Sequence, residues 1–121
     1  MKERYRTFAG YNAWANRRLY EAAAQLSDAD YRADRGVFFK SMHGTLNHLL
    51  ATDYIWMQRF TGEGTAPTRL DVLLHDRFDA LQAARVAEDQ RIVRWIDSLD
   101  ETQLAGVIRY RRVSTPDEFV Q

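Results

Sequence analysis

A chain of 121 residues that is 45% hydrophobic, with 17 basic and 17 acidic side chains, suits one domain spanning 1–121 that needs no covalent staple to fold. The absence of cysteine excludes disulfides, thiolate zinc sites, iron–sulfur clusters and a cysteine nucleophile; with no apolar leader behind Met1-Lys2-Glu3-Arg4, it fits a reducing, cytoplasmic compartment. Zero net charge argues against a nucleic-acid binder, and no apolar run reaches the roughly 18 residues of a membrane span.

The first helix is predicted from Lys2 to Leu26. Tyr5, Phe8, Tyr11, Ala15, Leu19, Ala22 and Leu26 recur at spacings of three and four and form one stripe. Ser27 and Asp28 open a connector with one helical turn, which Gly36 breaks. The second helix is predicted from Ser41 to Thr61, with Gly62 and Gly64 as its stop. Met42, Leu46, Leu49, Leu50, Trp56, Met57 and Phe60 share its broad face, while Thr45, His48, Thr52 and Ile55 lie on the far side. A helix apolar on two sides is covered on both, within a bundle or by a second subunit.

Residues 62–70 read as a loop. The third helix is predicted from Leu73 to Leu99, with a stripe of Leu74, Phe78, Leu81, Ile92, Trp95, Ile96 and Leu99. Asp100 and Gln103 have the spacing of a capping box for one further turn. Val107 to Val113 alternates as an extended segment does, and Thr115 to Glu118 has the look of another helix start. Three long helices joined by short or medium loops predict an all-α, up-and-down bundle with one groove left open.

His48 is the sharpest chemical candidate. It lies mid-helix beside Gly44, Thr45, Ala51 and Thr52, small neighbours that leave room for an ion, a water or a substrate atom. An imidazole facing a bundle groove suits a transition metal; the plainer alternative is a hydrogen-bonded or half-exposed histidine. His43 lies five residues earlier, about 140° around the helix, and cannot share a metal with His48 from one face. It reads as a surface or helix-start residue, and His75 as an ordinary imidazole opening the third helix. Asp53, Arg85 and Glu88 fall on core-facing stripes, where charges pair. The expectation is an Asp53–Arg85 ion pair with Glu88 nearby; the functional alternative is a polar pocket floor with Arg85 binding an anion. Arg17, Arg18, Arg109, Arg111 and Arg112 read as solvated, and Trp14, Trp56 and Trp95 as core or interface packing. No Gly-rich phosphate loop or GxSxG elbow occurs, and Ser27, Ser41, Ser98 and Ser114 have no evident base.

The stretch Tyr11-Asn12-Ala13-Trp14-Ala15-Asn16-Arg17-Arg18-Leu19-Tyr20, and above all Ser41-Met42-His43-Gly44-Thr45-Leu46-Asn47-His48-Leu49-Leu50, resembles the DinB-like (DinB/YfiT) family. Asp53-Tyr54-Ile55-Trp56-Met57-Gln58-Arg59-Phe60-Thr61-Gly62 continues the likeness, which spans most of residues 5–100. The resemblance implies a four-helix bundle with a long crossover, often a homodimer, and a divalent metal such as zinc or nickel held by three histidines. Some members are thiol-dependent transferases, metal-dependent hydrolases or isomerases. The first ligand comes from the segment that here is Asn47-His48-Leu49-Leu50, and the other two from an HxxxH on the fourth helix. No HxxxH precedes Gln121. His48 alone carries over, and His43 and His75 match neither missing position. The expectation is therefore a bundle whose fourth helix is missing or supplied by a partner, with an incomplete metal site at His48. Its open groove would drive homodimerisation. Two functions follow: a metal-dependent transferase or hydrolase, or a non-catalytic dimeric bundle that binds no metal. Neither involves nucleic acid or a membrane, and the substrate is an unspecified small molecule.

Overall fold

The computed structural model describes residues 2–36, 39–69 and 72–114, with side chains up to 107. Five helices follow one another: α1 (Lys2–Ala24), α2 (Asp28–Arg32), α3 (Met42–Thr61), α4 (Phe78–Ser98) and α5 (Glu101–Ser114). Described residues contain no strand beyond an isolated bridge at Lys40, so the chain is all-α as expected. None of the described helices is long and apolar enough to cross a membrane.

Local chemistry sets the helix ends. The Ser27 and Ser41 hydroxyls accept the amides of Asp30 and Gly44, satisfying donors in the first turns of α2 and α3. Gly62 ends α3 at φ 71°, a conformation costly for residues with a Cβ, and its N–H returns to the Gln58 carbonyl. At α5 the expected capping box forms in full. The Asp100 N–H donates to Gln103 Oε1 at 2.9 Å, and the Gln103 N–H donates to Asp100 Oδ1 at 2.7 Å.

α1 packs chiefly along α4, α4 also packs on α3, and α2 lies against α3. Lys2 and Arg6 meet the far end of α4, where Arg6 Nε binds Asp97 Oδ1 at 2.7 Å, so α1 and α4 run antiparallel. The core joins Tyr20 and Ala23 of α1, Tyr31 of α2, Leu46 and Leu50 of α3 and Leu81 of α4. Burial of each of these leucines contributes roughly 1.5–3 kcal/mol. Tyr20 and Tyr31 both contact the Phe78 ring, which fastens the start of α4.

Three expectations need correction. Val107–Val113 is helical, because the capping box launches a helix that runs through it to Ser114. α4 starts at Phe78 rather than Leu73, because Asn47 engages the backbone of His75 and holds the approach segment out of the helix. On α1 the packed face is not the aromatic stripe but Ala9, Tyr20 and Ala23, with Asn16 beside them. Phe8, Tyr11 and Trp14 are 60%, 62% and 49% exposed. Small residues let α1 approach α4 closely, which turns the aromatics outward. The helix start at Thr115–Glu118 lies outside the described residues.

Candidate functional site

His48 sits at the middle of α3, half-buried, with its imidazole stacked on the Phe39 ring at a centroid distance of 3.7 Å and an interplanar angle of 17°. One turn earlier, a Cβ at residue 44 would overlap the Phe39 carbonyl oxygen outright. The room beside Gly44 is thus filled by backbone, and does not await an ion or substrate. Thr52 returns its hydroxyl to the His48 carbonyl at 3.0 Å, leaving that end of the helix without an outward polar group from Thr52.

Asn47, fully buried next to His48, clamps two segments together. Its Oδ1 accepts the His75 N–H at 3.0 Å, and its Nδ2 donates to the His75 and His43 carbonyls at 3.3 and 3.0 Å. All its bonding reaches backbone, so Asn47 is an anchor for the approach to α4. His75 precedes α4 rather than opening it.

His43 is not a surface residue. It is 3% exposed, and the Tyr31 hydroxyl lies 2.6 Å from its Nδ1. Burial pushes the Tyr31 hydroxyl up to about 12, so it stays protonated and shares a hydrogen bond with Nδ1, whose direction follows the His43 tautomer. The other ring nitrogen, Nε2, is buried without a hydrogen-bond partner among the described residues. Burial, reinforced by the Arg32 charge, holds His43 below the usual histidine range. The pair fastens α2 to α3.

The charged residues form a buried network between α1, α3 and α4. Arg85 Nη2 binds Asp53 Oδ2 at 2.5 Å and Asp89 Oδ1 at 2.7 Å, while Nε binds Asp89 Oδ1 at 3.0 Å. Asn16 Nδ2 adds bonds of 3.1 and 3.2 Å to the two oxygens of Asp89. The expected Asp53–Arg85 pair is present. Asp89 and Asn16, which complete it, were not singled out from the sequence, since Asp89 stands four residues after Arg85 and resembles a surface helix pair. Burial acts to lower the Arg85 pKa, but the two carboxylates outweigh it and raise it. Burial also lifts Asp89 above the usual carboxylate range, against Arg85 and Asn16. Glu88 is buried too, lifted by burial and tied to Arg91 Nη1 at 3.2 Å. With both carboxylates on one guanidinium, the structural ion pair describes Arg85 better than an anion-binding role does.

Trp56, Phe60 and Trp95 stack in sequence, at 5.5 and 5.4 Å, between α3 and α4. Trp14 instead lies on the exposed face of α1 with Arg18 at 5.9 Å from its ring. Arg17 and Arg18 are exposed, as expected; the side chains of Arg109, Arg111 and Arg112 lie outside the described ones.

The described residues do not fit a divalent metal on their own. Among the described residues no three His, Cys, Asp or Glu side chains gather to hold an ion. His48, His43 and His75 do not converge: His43 is turned inward to Tyr31, and His75 is held on the approach to α4 through its backbone. A single imidazole competes poorly with water for a metal. The described residues therefore do not assemble a metal site, and no reaction step can be drawn through a metal from them. Comparison with protein families finds a match over residues 1–120 to the model described as DinB family. No curated protein and no solved structure matches the chain.

Proposed function

Since the chain belongs to the DinB family, we propose that His48 is one imidazole ligand of a divalent-metal site, zinc or nickel, that is incomplete in this chain. The class of chemistry is that of a thiol-dependent transferase or a hydrolase, in which a metal acts as Lewis acid toward a thiol or a water. The observation that supports this reading is the setting of His48. It is half-buried at the centre of α3, its ring fixed face-on against Phe39. Stacking leaves the in-plane directions of the ring, along which nitrogen lone pairs point, parallel to the Phe39 face rather than into it. Calorimetric titration of zinc and of nickel into wild type and His48→Ala tests the assignment. The expected outcome is binding by wild type that His48→Ala loses; equal binding by both refutes it.

A second reading is favoured by α1. Phe8, Tyr11 and Trp14 expose aromatic surface on a helix whose other side is packed on α4. In this reading the chain is a non-catalytic dimeric bundle, with that surface covered by a second copy. Sedimentation equilibrium at low micromolar concentration separates the two. A dimer that Phe8→Ser/Tyr11→Ser dissociates, without metal binding at His48, supports the second reading; a folded monomer contradicts it.

A further inference from the structure

α2 is five residues long, too short to hold a helical shape unaided, so its place depends on what ties it down. One tie is buried. Tyr31 is 3% exposed, its ring meets Phe78 edge-on at 5.3 Å, and its hydroxyl lies 2.6 Å from His43 Nδ1. Another is at the surface, where Arg32 bonds to the side chain and the backbone carbonyl of Asp76. α1, α3 and α4 are joined to one another without α2, through Tyr20, Leu46, Leu50 and Leu81 and through the Arg85 network. At the buried tie, His43 Nε2 has no hydrogen-bond partner among the described residues. The Tyr31 hydroxyl can complement Nδ1 in either neutral tautomer, because a hydroxyl both donates and accepts. The doubly protonated ring is different: it adds a full charge, and its Nε2–H has nothing to receive it. The charged groups facing the ring are Arg32 and Asp28 of α2 and Asp76 on the approach to α4. Arg32 repels a second cation, and both carboxylates are already bonded to Arg32, at 2.9 and 3.0 Å. Tyr31 stays protonated and brings no negative charge.

We propose that the Tyr31–His43 contact is an acid-released latch: protonating His43 frees α2 from α3 while α1, α3 and α4 stay folded around their own core. The open form takes up the proton, because water then reaches both ring nitrogens, and the closed form resists it. Opening therefore draws in one proton, and its equilibrium constant rises as pH falls through the ordinary histidine range near about 6.5. The rise ends where the closed form is itself protonated, at the lower pH that burial sets. Release uncovers the contact between Tyr31 and Phe78 and loosens the Arg32–Asp76 tie to the approach of α4. A change of shape, and not only a loss of stability, thus falls in the range where imidazoles titrate. The latch is independent of whether His48 binds a metal.

Native-state amide exchange, corrected for the intrinsic effect of pH on exchange, reads the opening directly. The Tyr31 amide, bonded to the Ser27 carbonyl at 2.9 Å, reports on α2, and the amides of Leu50 and Leu81 report on the body of the molecule. In wild type, Tyr31 is expected to exchange through an opening more populated than that of Leu50 and Leu81. Between about pH 7.5 and about pH 5.5 that opening is expected to grow by up to about tenfold. His43→Gln keeps a polar side chain that takes up no proton in this range, and His43→Phe fills the space with an apolar ring. Both are expected to lack the rise. If Tyr31 exchanges only together with Leu50 and Leu81, α2 has no opening of its own and the proposal is overturned. A Tyr31 opening in wild type that does not change with pH overturns it as well, with no variant needed. So does a rise that persists in either variant.

Discussion

Replacing Arg85 with methionine removes the only cation bonded to Asp89 among the described residues while keeping an apolar stem of similar length. The Arg85 side chain is 3% exposed and that of Asp89 is 6%, whereas that of Asp53 keeps 32%. Losing the guanidinium takes two of the bonds to Asp89 Oδ1 and leaves that carboxylate buried with Asn16 alone. Breaking a buried pair from one side costs about 3–5 kcal/mol. A domain of this size has about 5–15 kcal/mol in all, so Arg85→Met should be folded only marginally. Asp53, the more exposed of the two carboxylates, contributes the smaller share. Urea unfolding followed by circular dichroism reads the loss. The variant Arg85→Met/Asp89→Leu removes both buried charges, so it should recover at least half of it. Asp89 is already lifted by burial, and without Arg85 it is lifted further. A carboxyl with a raised folded pKa makes the native state bind the extra proton, so the deficit of Arg85→Met should shrink as pH falls from about 7 to about 4.5. A loss below about 1 kcal/mol, or a double variant no better than the single one, would refute the reasoning, because either result means the site is hydrated enough to hold an isolated carboxylate.

Asn47→Ala orphans the His75 N–H and should cost about 1–3 kcal/mol in urea unfolding, with faster amide exchange at His75 and across the first turn of α4. His43 is held low by burial, so the folded state resists a proton that the unfolded chain accepts. Its contribution to stability is complete above about pH 6.5 and is lost as pH falls through the lowered native value, so acidification from about pH 7.5 to about 5.5 should destabilise wild type more than His43→Gln. Comparing the two cancels Glu88 and Asp89, whose raised values act in the opposite direction. Asp100→Ala removes the oxygen that accepts the Gln103 N–H and should cost about 1 kcal/mol of helix stability, read as loss of amide protection over 101–107.

The helical class, the Asp100–Gln103 cap and the Asp53–Arg85 pair were legible because each is written in local spacing or in one improbable charge on an apolar stripe. The packed face of α1 was not. Periodicity weighs hydrophobicity, and α1 meets α4 through Ala9, Tyr20, Ala23 and the amide of Asn16, small or polar groups that outrank Phe8 and Tyr11 by fitting. The start of α4 was hidden for a related reason. Nothing near Leu73 breaks a helix; the competitor is Asn47, distant in sequence, which takes both polar groups of the His75 backbone. His48 was visible as a mid-helix imidazole among small neighbours. The contents of that space, the Phe39 ring and carbonyl, depend on a positive φ at Lys40 that no residue type at that position announces.

The assignment of His48 is tested most directly by X-ray absorption at the nickel edge on protein loaded with one equivalent of nickel. Wild type should show imidazole scattering around the metal that falls by one ring's worth in His48→Ala. Identical spectra from the two proteins would contradict it.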